Sequence, residues 1–168
     1  MPDRLTKERR SWNMSRIRGK DTAPEKVVRS ILFQMGYRFR LHGRKLAGKP
    51  DIVLAKHKAV VFVHGCFWHR HKGCINCTTP TNNRKFWLEK LNGNASRDSH
   101  HRVALRKLGW RVFVVWECKT EKVGAVVRLQ KQLVRFLKGP QISLTRPRLA
   151  ASPNRRSVSS GRCRIIRS

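Results

Sequence analysis

Fourteen consecutive residues, from His64 to Cys77, hold three histidines and three cysteines. Thiolate and imidazole are the preferred ligands of zinc, and four of them make a closed tetrahedral structural site. Cys74-x-x-Cys77 is itself a zinc-compatible pair. Cys118 closes a later strand-like segment, so three ligands from the 66–77 loop plus Cys118 would tie that loop to a sheet. The bland alternative is a set of buried free thiols with solvated histidines. Histidines that no metal takes are free to carry protons near neutral pH, and His64 and His69 are the leading candidates.

The carboxylates form a short inventory: nine Asp and Glu among 39 Lys and Arg. Asp51 follows Lys49-Pro50 and begins a run of branched residues, Ile52-Val-Leu54. A carboxylate at the mouth of a strand is well placed to hold a hard divalent cation, although Pro-Asp is also common in turns. Glu25 stands three residues after Thr22, where a capping box fully explains it. A metal role for Glu25 requires that helix start to lie beside Asp51.

Aromatic residues interleave with these groups. Phe67-Trp68 sit inside the polar loop and Phe86-Trp87 lie just beyond it. In a very basic chain, paired aromatics on a loop invite insertion between bases. Core packing is the competing use, and it is the expected one for Trp110 and Trp116.

These side chains need elements to position them. Thr22-Ala-Pro-Glu25 opens a helix, with Pro24 in its first turn. Val27, Val28, Ile31, Leu32 and Met35 then fall on one face, and Gly36 supplies the stop. Residues 51–55 and 59–63 predict a hairpin about Lys56-His57-Lys58. Residues 84–91 and 96–108 predict two helices, the second closed by Gly109. Residues 111–117 predict a third strand, and a helix over 121–138 ends at Gly139-Pro140. The expected order, α-β-β-α-α-β-α, is an α/β domain with helices packed on a mixed sheet.

Composition bounds the function. The net charge of +30 over 168 residues calls for a polyanionic partner, nucleic acid or an anionic membrane. Uncharged runs fall far short of the ~20 residues of a bilayer span. The first ten residues lack the apolar stretch of a secretory signal, so the expectation is an intracellular protein in which Cys66, Cys74, Cys77 and Cys118 serve metal binding more than disulfides, with Cys163 alone in the last residues. Residues 1–138 form the expected folded domain. Residues 139–168 carry seven Arg, no Lys and no acid, and their composition predicts a disordered basic tail.

Taken together, these motifs are familiar. Asn13-Met14, Asp21-Thr-Ala-Pro-Glu25 and Gly48-Lys-Pro-Asp-Ile-Val53 form one set. His64-Gly-Cys-Phe-Trp-His69, Phe86-Trp-Leu-Glu-Lys90, Arg97-Asp98, Gly109-Trp-Arg-Val112 and Val115-Trp-Glu-Cys118 form the other. In that order and spacing, over roughly residues 9–137, the chain resembles the very short patch repair (Vsr) DNA mismatch endonucleases. The resemblance implies a restriction-endonuclease-like fold. It implies an enzyme that nicks duplex DNA 5′ to the thymine of a T:G mismatch arising from deaminated 5-methylcytosine.

Residue by residue, the resemblance makes Asp51 the catalytic Mg²⁺ ligand and joins Glu25 to that site through water. It assigns His64 and His69 as active-site histidines, with Asp98 an acid near them. Cys66, His71, Cys74 and Cys118 match structural zinc ligands, and Phe67, Trp68 and Trp87 match aromatics that wedge beside the mismatch, with Met14 helping from the other groove. It further implies a cytoplasmic, nucleoid-acting monomer, with other mismatch-repair proteins as partners.

The chain departs from the family pattern in three places. Val63 stands where Thr is frequent; a main-chain carbonyl ligand to Mg²⁺ survives that change. The segment from His71 to Cys74 carries an extra residue, which leaves Cys74 and Cys77 as alternatives. The tail from Gly139 has no family counterpart. Two other functions fit parts of the pattern: a non-catalytic zinc module that binds distorted nucleic acid, and a nuclease of the same fold with another DNA target.

Overall fold

The computed structural model describes residues 6, 8, 9, 12, 15, 16 and 19–139. Met14 and residues 140–168 lie outside the described residues, and with them the expected groove contact and nearly all of the basic tail.

Helix α1 (Ala23–Gln34) forms as its capping signals require. Thr22 Oγ1 accepts the Glu25 backbone N–H, and the Glu25 side chain accepts the Thr22 N–H in return. Val28, Ile31 and Leu32 are buried on one face, and Gly36 follows the helix with a φ of +81°, a left-handed position that glycine occupies without strain.

Four strands make one sheet in the order β1 (Arg40–Leu41), β2 (Ile52–Leu54), β3 (Ala59–His64), β4 (Arg111–Trp116). The first two pairings are antiparallel, and β3 runs parallel to β4 from Ala59↔Arg111 to His64↔Trp116. The β2–β3 hairpin closes through a single 3₁₀ turn at Ala55–His57, with Lys58 in the left-handed region. The sheet is therefore mixed, as expected. The two-residue β1 gave no hydrophobic pattern by which to foresee it.

The expected pair of helices at 84–91 and 96–108 is instead one continuous helix, α2 (Arg84–Lys107). Asn92-Gly-Asn94 does not break it. Gly93 costs about 1 kcal/mol against alanine in a helix, but Leu91 and Leu105 are buried on either side of it. Asn94 Nδ2 also donates to the Trp68 carbonyl at 3.1 Å. Tertiary contacts thus override local propensity. Helix α3 (Val123–Lys138) buries Ala125, Leu129, Leu133 and Leu137 at helical spacing.

Two clusters of apolar side chains form the core. Val28, Leu32, Ile52, Leu54, Val61, Val115 and Leu133 belong to one, and Val53, Val60, Phe62 and Leu105 to the other. Alternate residues of β3 thus serve opposite clusters, so the sheet is packed on both sides. Arg111 is buried at the start of β4 and donates to the carbonyls of Phe136, Leu137 and Gly139 and to that of His57. It satisfies the orphan carbonyls at the end of α3 and complements the negative end of the helix dipole. No helix among the described residues is long and apolar enough to cross a membrane.

Candidate active site and metal centre

Chain topology brings distant carboxylates together. Asp51 precedes β2 and Val63 lies near the end of β3, antiparallel to it. Asp51 Oδ2 accepts the Val63 backbone N–H at 2.8 Å, which leaves Oδ1 for another partner. Gly48, at φ +72°, lets the preceding loop press on α2: a Cβ there would lie 2.8 Å from both Cβ and Nδ1 of His101. Any side chain at Gly48 would therefore push the Asp51 loop off the helix.

Asp51, Glu25, His64, His69 and Asp98 all line one open cleft of about 630 Å³, with Phe67 and Trp68 on its wall. The structure thus gathers every residue expected in the active site. Burial pushes the Asp51 carboxyl above its ordinary range, and the nearby Glu25 charge adds to the rise, against the Val63 N–H. A cation held by Asp51 would relieve that electrostatic condition. With oxygen donors facing a partly buried pocket, the site fits a hard divalent ion.

Glu25 is itself heavily engaged. Its oxygens accept from the Asp21 and Thr22 backbone, from Thr22 Oγ1 and from Arg29 Nη2 at 2.6 Å. The capping box and a place beside Asp51 are therefore both true of Glu25. Its oxygens are thus already occupied by protein donors.

The two histidines stack face to face, with centroids 3.9 Å apart and planes within 11°. His69 Nδ1 lies 2.5 Å from Asp98 Oδ2. Burial and the proximity of His69 pull the His64 imidazole down to about 3, although Asp98 acts the other way. His64 is therefore neutral at pH 7. Burial alone would raise Asp98, but its hydrogen bond to His69, supported by the nearby Arg102 charge, holds it below the ordinary carboxylate value.

A second cluster lies behind the loop. Cys66, His71, Cys74 and Cys118 place one ligand atom each within 4.8 Å of one another, and Cys77 is not in this group. These cysteines are free thiols. Burial pushes Cys66 up to about 12, against a backbone hydrogen bond from Cys118, and side-chain contacts with Cys118 and Cys74 add to the rise. Closely packed thiols and an imidazole fit a thiophilic ion, which binds them deprotonated. The His71 ring stacks on Trp116 at 4.2 Å and 6°, so the sheet orients it. Trp116 is half-buried and serves this centre more than the core.

Phe67, Trp68 and Trp87 form one aromatic group with centroids 5.0–6.1 Å apart, and none of them belongs to a core cluster. Phe86 joins at 5.5 Å and is 56% exposed. Core packing therefore does not account for these rings.

Glu117 is a site residue whose place no local sequence signal gives away. Its carboxylate also lines the cleft and accepts the Cys66 N–H at 3.2 Å. At the end of a strand, in sequence, it looks like an ordinary solvated acid. The available signal was scarcity, because four of the nine acids line this one cleft.

This arrangement of carboxylates and histidines in an open cleft, on a mixed sheet flanked by helices, is that of a hydrolase site, and the relatives make it a DNA endonuclease. The family model described as DNA mismatch endonuclease Vsr matches residues 2–75. The chain is 48% identical over 126 residues to the type II nicking enzyme V.XorIIP of Xanthomonas oryzae pv. oryzae, covering 75% of this chain and 92% of that protein. It is 44% identical over 118 residues to the DNA mismatch endonuclease Vsr of Escherichia coli, covering 70% of this chain and 75% of that one. Among solved structures, the catalytic domain of the homing endonuclease I-Bth0305I aligns with 69% of this chain and 94% of its own, at 19% identity and a TM-score of 0.47. The chain belongs to the Vsr family of DNA mismatch endonucleases.

Proposed function

We propose that this endonuclease nicks duplex DNA 5′ to the thymine of a T:G mismatch by Mg²⁺-dependent hydrolysis, in very short patch repair. The observation that supports this most is the single cleft that gathers Asp51, His64, His69 and Asp98 beside Phe67 and Trp68. Asp51 would hold the Mg²⁺, with the Val63 main-chain carbonyl as a second donor and Glu25 acting through water. When bound, the ion supplies positive charge to the phosphoryl and leaving oxygens.

The protein's own residues do the proton work. His69 presents Nδ1 to Asp98, which leaves Nε2 to take a proton from the attacking water. Asp98 orients that ring and offsets the imidazolium that forms. Neutral His64 stacks on His69 and limits its swing. The water oxygen bonds to phosphorus as the P–O3′ bond breaks, and the departing 3′ oxygen takes its proton from solvent water, giving a 5′-phosphate and a 3′-hydroxyl.

The four-ligand set Cys66, His71, Cys74 and Cys118 fits a structural zinc, since it leaves no open position for substrate. Phe67, Trp68 and Trp87 would part the stack beside the weak T:G pair, where distortion costs least. Met14 would assist from the opposite groove, and the tail over 139–168 would add phosphate contacts as a nonspecific arm. The enzyme would act as a cytoplasmic monomer with other repair proteins.

Incubation with duplexes carrying each single mismatch, in Mg²⁺ or in EDTA, tests the reading. Nicking confined to T:G and abolished by EDTA is the expected result. Binding with no strand cleavage under any condition would instead make the chain a non-catalytic binder of distorted DNA.

A further inference from the structure

We propose that Glu117 is a positioning residue that fixes the 65–71 loop, and thereby His69 and the Phe67–Trp68 pair, relative to Asp51. The inference rests on the endonuclease reading above and adds a residue to it.

Backbone bookkeeping locates the role. The parallel β3–β4 ladder ends at His64↔Trp116. Beyond it the chain on the β3 side turns into the loop, and the chain on the β4 side winds into a 3₁₀ turn at Glu117–Lys119. The Cys66 N–H lies two residues past the end of the ladder, beyond the strand pairing. Glu117 Oε2 accepts it at 3.2 Å. A side chain thus continues the pairing where the backbone stops, and satisfies a buried donor that would otherwise be orphaned.

Glu117 is itself held in place. Its carbonyl accepts both the Thr120 N–H at 2.8 Å and Thr120 Oγ1 at 2.7 Å. The loop it holds closes on itself, because the Gly65 carbonyl accepts the His69 N–H and the Cys66 carbonyl accepts the His71 N–H. Fixing Cys66 therefore fixes the hydrogen-bonded turn that presents His69. Gly65 sits between the two parties, since the site of a Cβ there is 3.4 Å from Trp68 Cδ1 and 3.5 Å from Glu117 Oε2.

Charge sharpens the point. A carboxylate in the wall of a cleft that receives phosphates repels the ligand. The role described here uses the oxygen as an acceptor, not its charge. Glutamine keeps a carbonyl oxygen at the same reach, and alanine removes it.

The experiment compares Glu117→Gln and Glu117→Ala with wild type in zinc content, melting temperature, affinity for matched and T:G duplexes, and single-turnover nicking. Fluorescence of 2-aminopurine beside the mismatch reports unstacking. Glu117→Ala is expected to keep its zinc and to bind matched DNA at least as tightly as wild type. Its nicking should slow by about ten- to hundred-fold, the scale of a misplaced catalytic group, with a weaker unstacking signal. Glu117→Gln is expected to nick at near the wild-type rate and to bind both duplexes at least as tightly. Thr120→Val, which removes one of the two hydrogen bonds to the Glu117 carbonyl without touching the carboxylate, should shift nicking in the same direction by less.

Nicking by Glu117→Ala at the wild-type rate overturns the proposal. So does equal slowing in Glu117→Gln, which would assign the effect to charge, and so does zinc loss in Glu117→Ala, which would assign Glu117 to the metal centre. A wild-type protein that neither nicks nor unstacks T:G DNA would fail the functional reading, a separate outcome.

Discussion

Nδ1 of His69 meets Oδ2 of Asp98 at 2.5 Å, across a span of 29 residues. The contact fixes the tautomer: Nδ1 carries the hydrogen, and Nε2 is left as the base. Asp98→Asn should therefore slow nicking by about 10²–10⁴-fold, the usual worth of a positioned acid or base, while affinity for T:G DNA holds.

The same pair has a signature in stability. Asp98 is held below its ordinary value of 3.8 in the folded state. A depressed carboxylate contributes stability above its unfolded value and loses it as pH falls through the folded one. The melting temperature of Asp98→Asn should thus lie below wild type at neutral pH, with the gap closing below about pH 4. A gap that did not narrow at all as pH falls below about 4 would show that the loss comes from packing.

Asp51→Asn should abolish nicking and leave DNA binding intact or slightly tighter. The change removes one negative charge from a hard-cation site and from a phosphate-facing cleft, while Oδ1 of the asparagine can still accept the Val63 N–H. Binding isotherms and a nicking assay on one preparation separate the two effects. Near wild-type nicking in Mg²⁺ would remove Asp51 from the catalytic set.

Much of this site was legible because its chemistry needs particular residue types. Cysteine and histidine in a short loop suggest a metal, and they do cluster in the fold; a carboxylate before a branched strand stands out in a chain so poor in acids. The capping box was readable because it is local. What escaped was whatever depends on a partner remote in sequence. Asp98 sits in the middle of a polar helix, and only the family resemblance gave it a role. Glu117 acquires one only once β4 lies beside β3. The predicted break near Gly93 followed propensity correctly, but Leu91, Leu105 and the Asn94–Trp68 contact outweigh it.

Zinc content should fall in Cys74→Ser and Cys118→Ser and stay at a full equivalent in Cys77→Ser, as the ligand geometry separates them. Loss of Cys118 should also lower the melting temperature, since that ligand bridges the loop and the sheet, and metal binding contributes to folding free energy. Elemental analysis of the three variants decides the matter. A zinc-depleted Cys77→Ser protein would exchange the roles of Cys74 and Cys77.

Trp68 allows the sharpest separation of packing from recognition. Its indole contacts Phe67 and Trp87, with the Lys90 ammonium 5.6 Å from its ring centre, and it is only half-buried. A core tryptophan would cost about 3–5 kcal/mol of stability when cut to alanine; outside the core clusters, Trp68→Ala should cost much less and leave the melting temperature near wild type. Stacking on an opened base step is worth about 1–3 kcal/mol, so affinity for T:G duplex should drop about ten- to hundred-fold. Matched DNA is bound mainly through phosphates and should be held almost as before. Melting curves and the two affinities, measured on one variant, discriminate the cases: a steep loss of melting temperature with equal losses on both duplexes would return Trp68 to a packing role and leave the mismatch without its wedge.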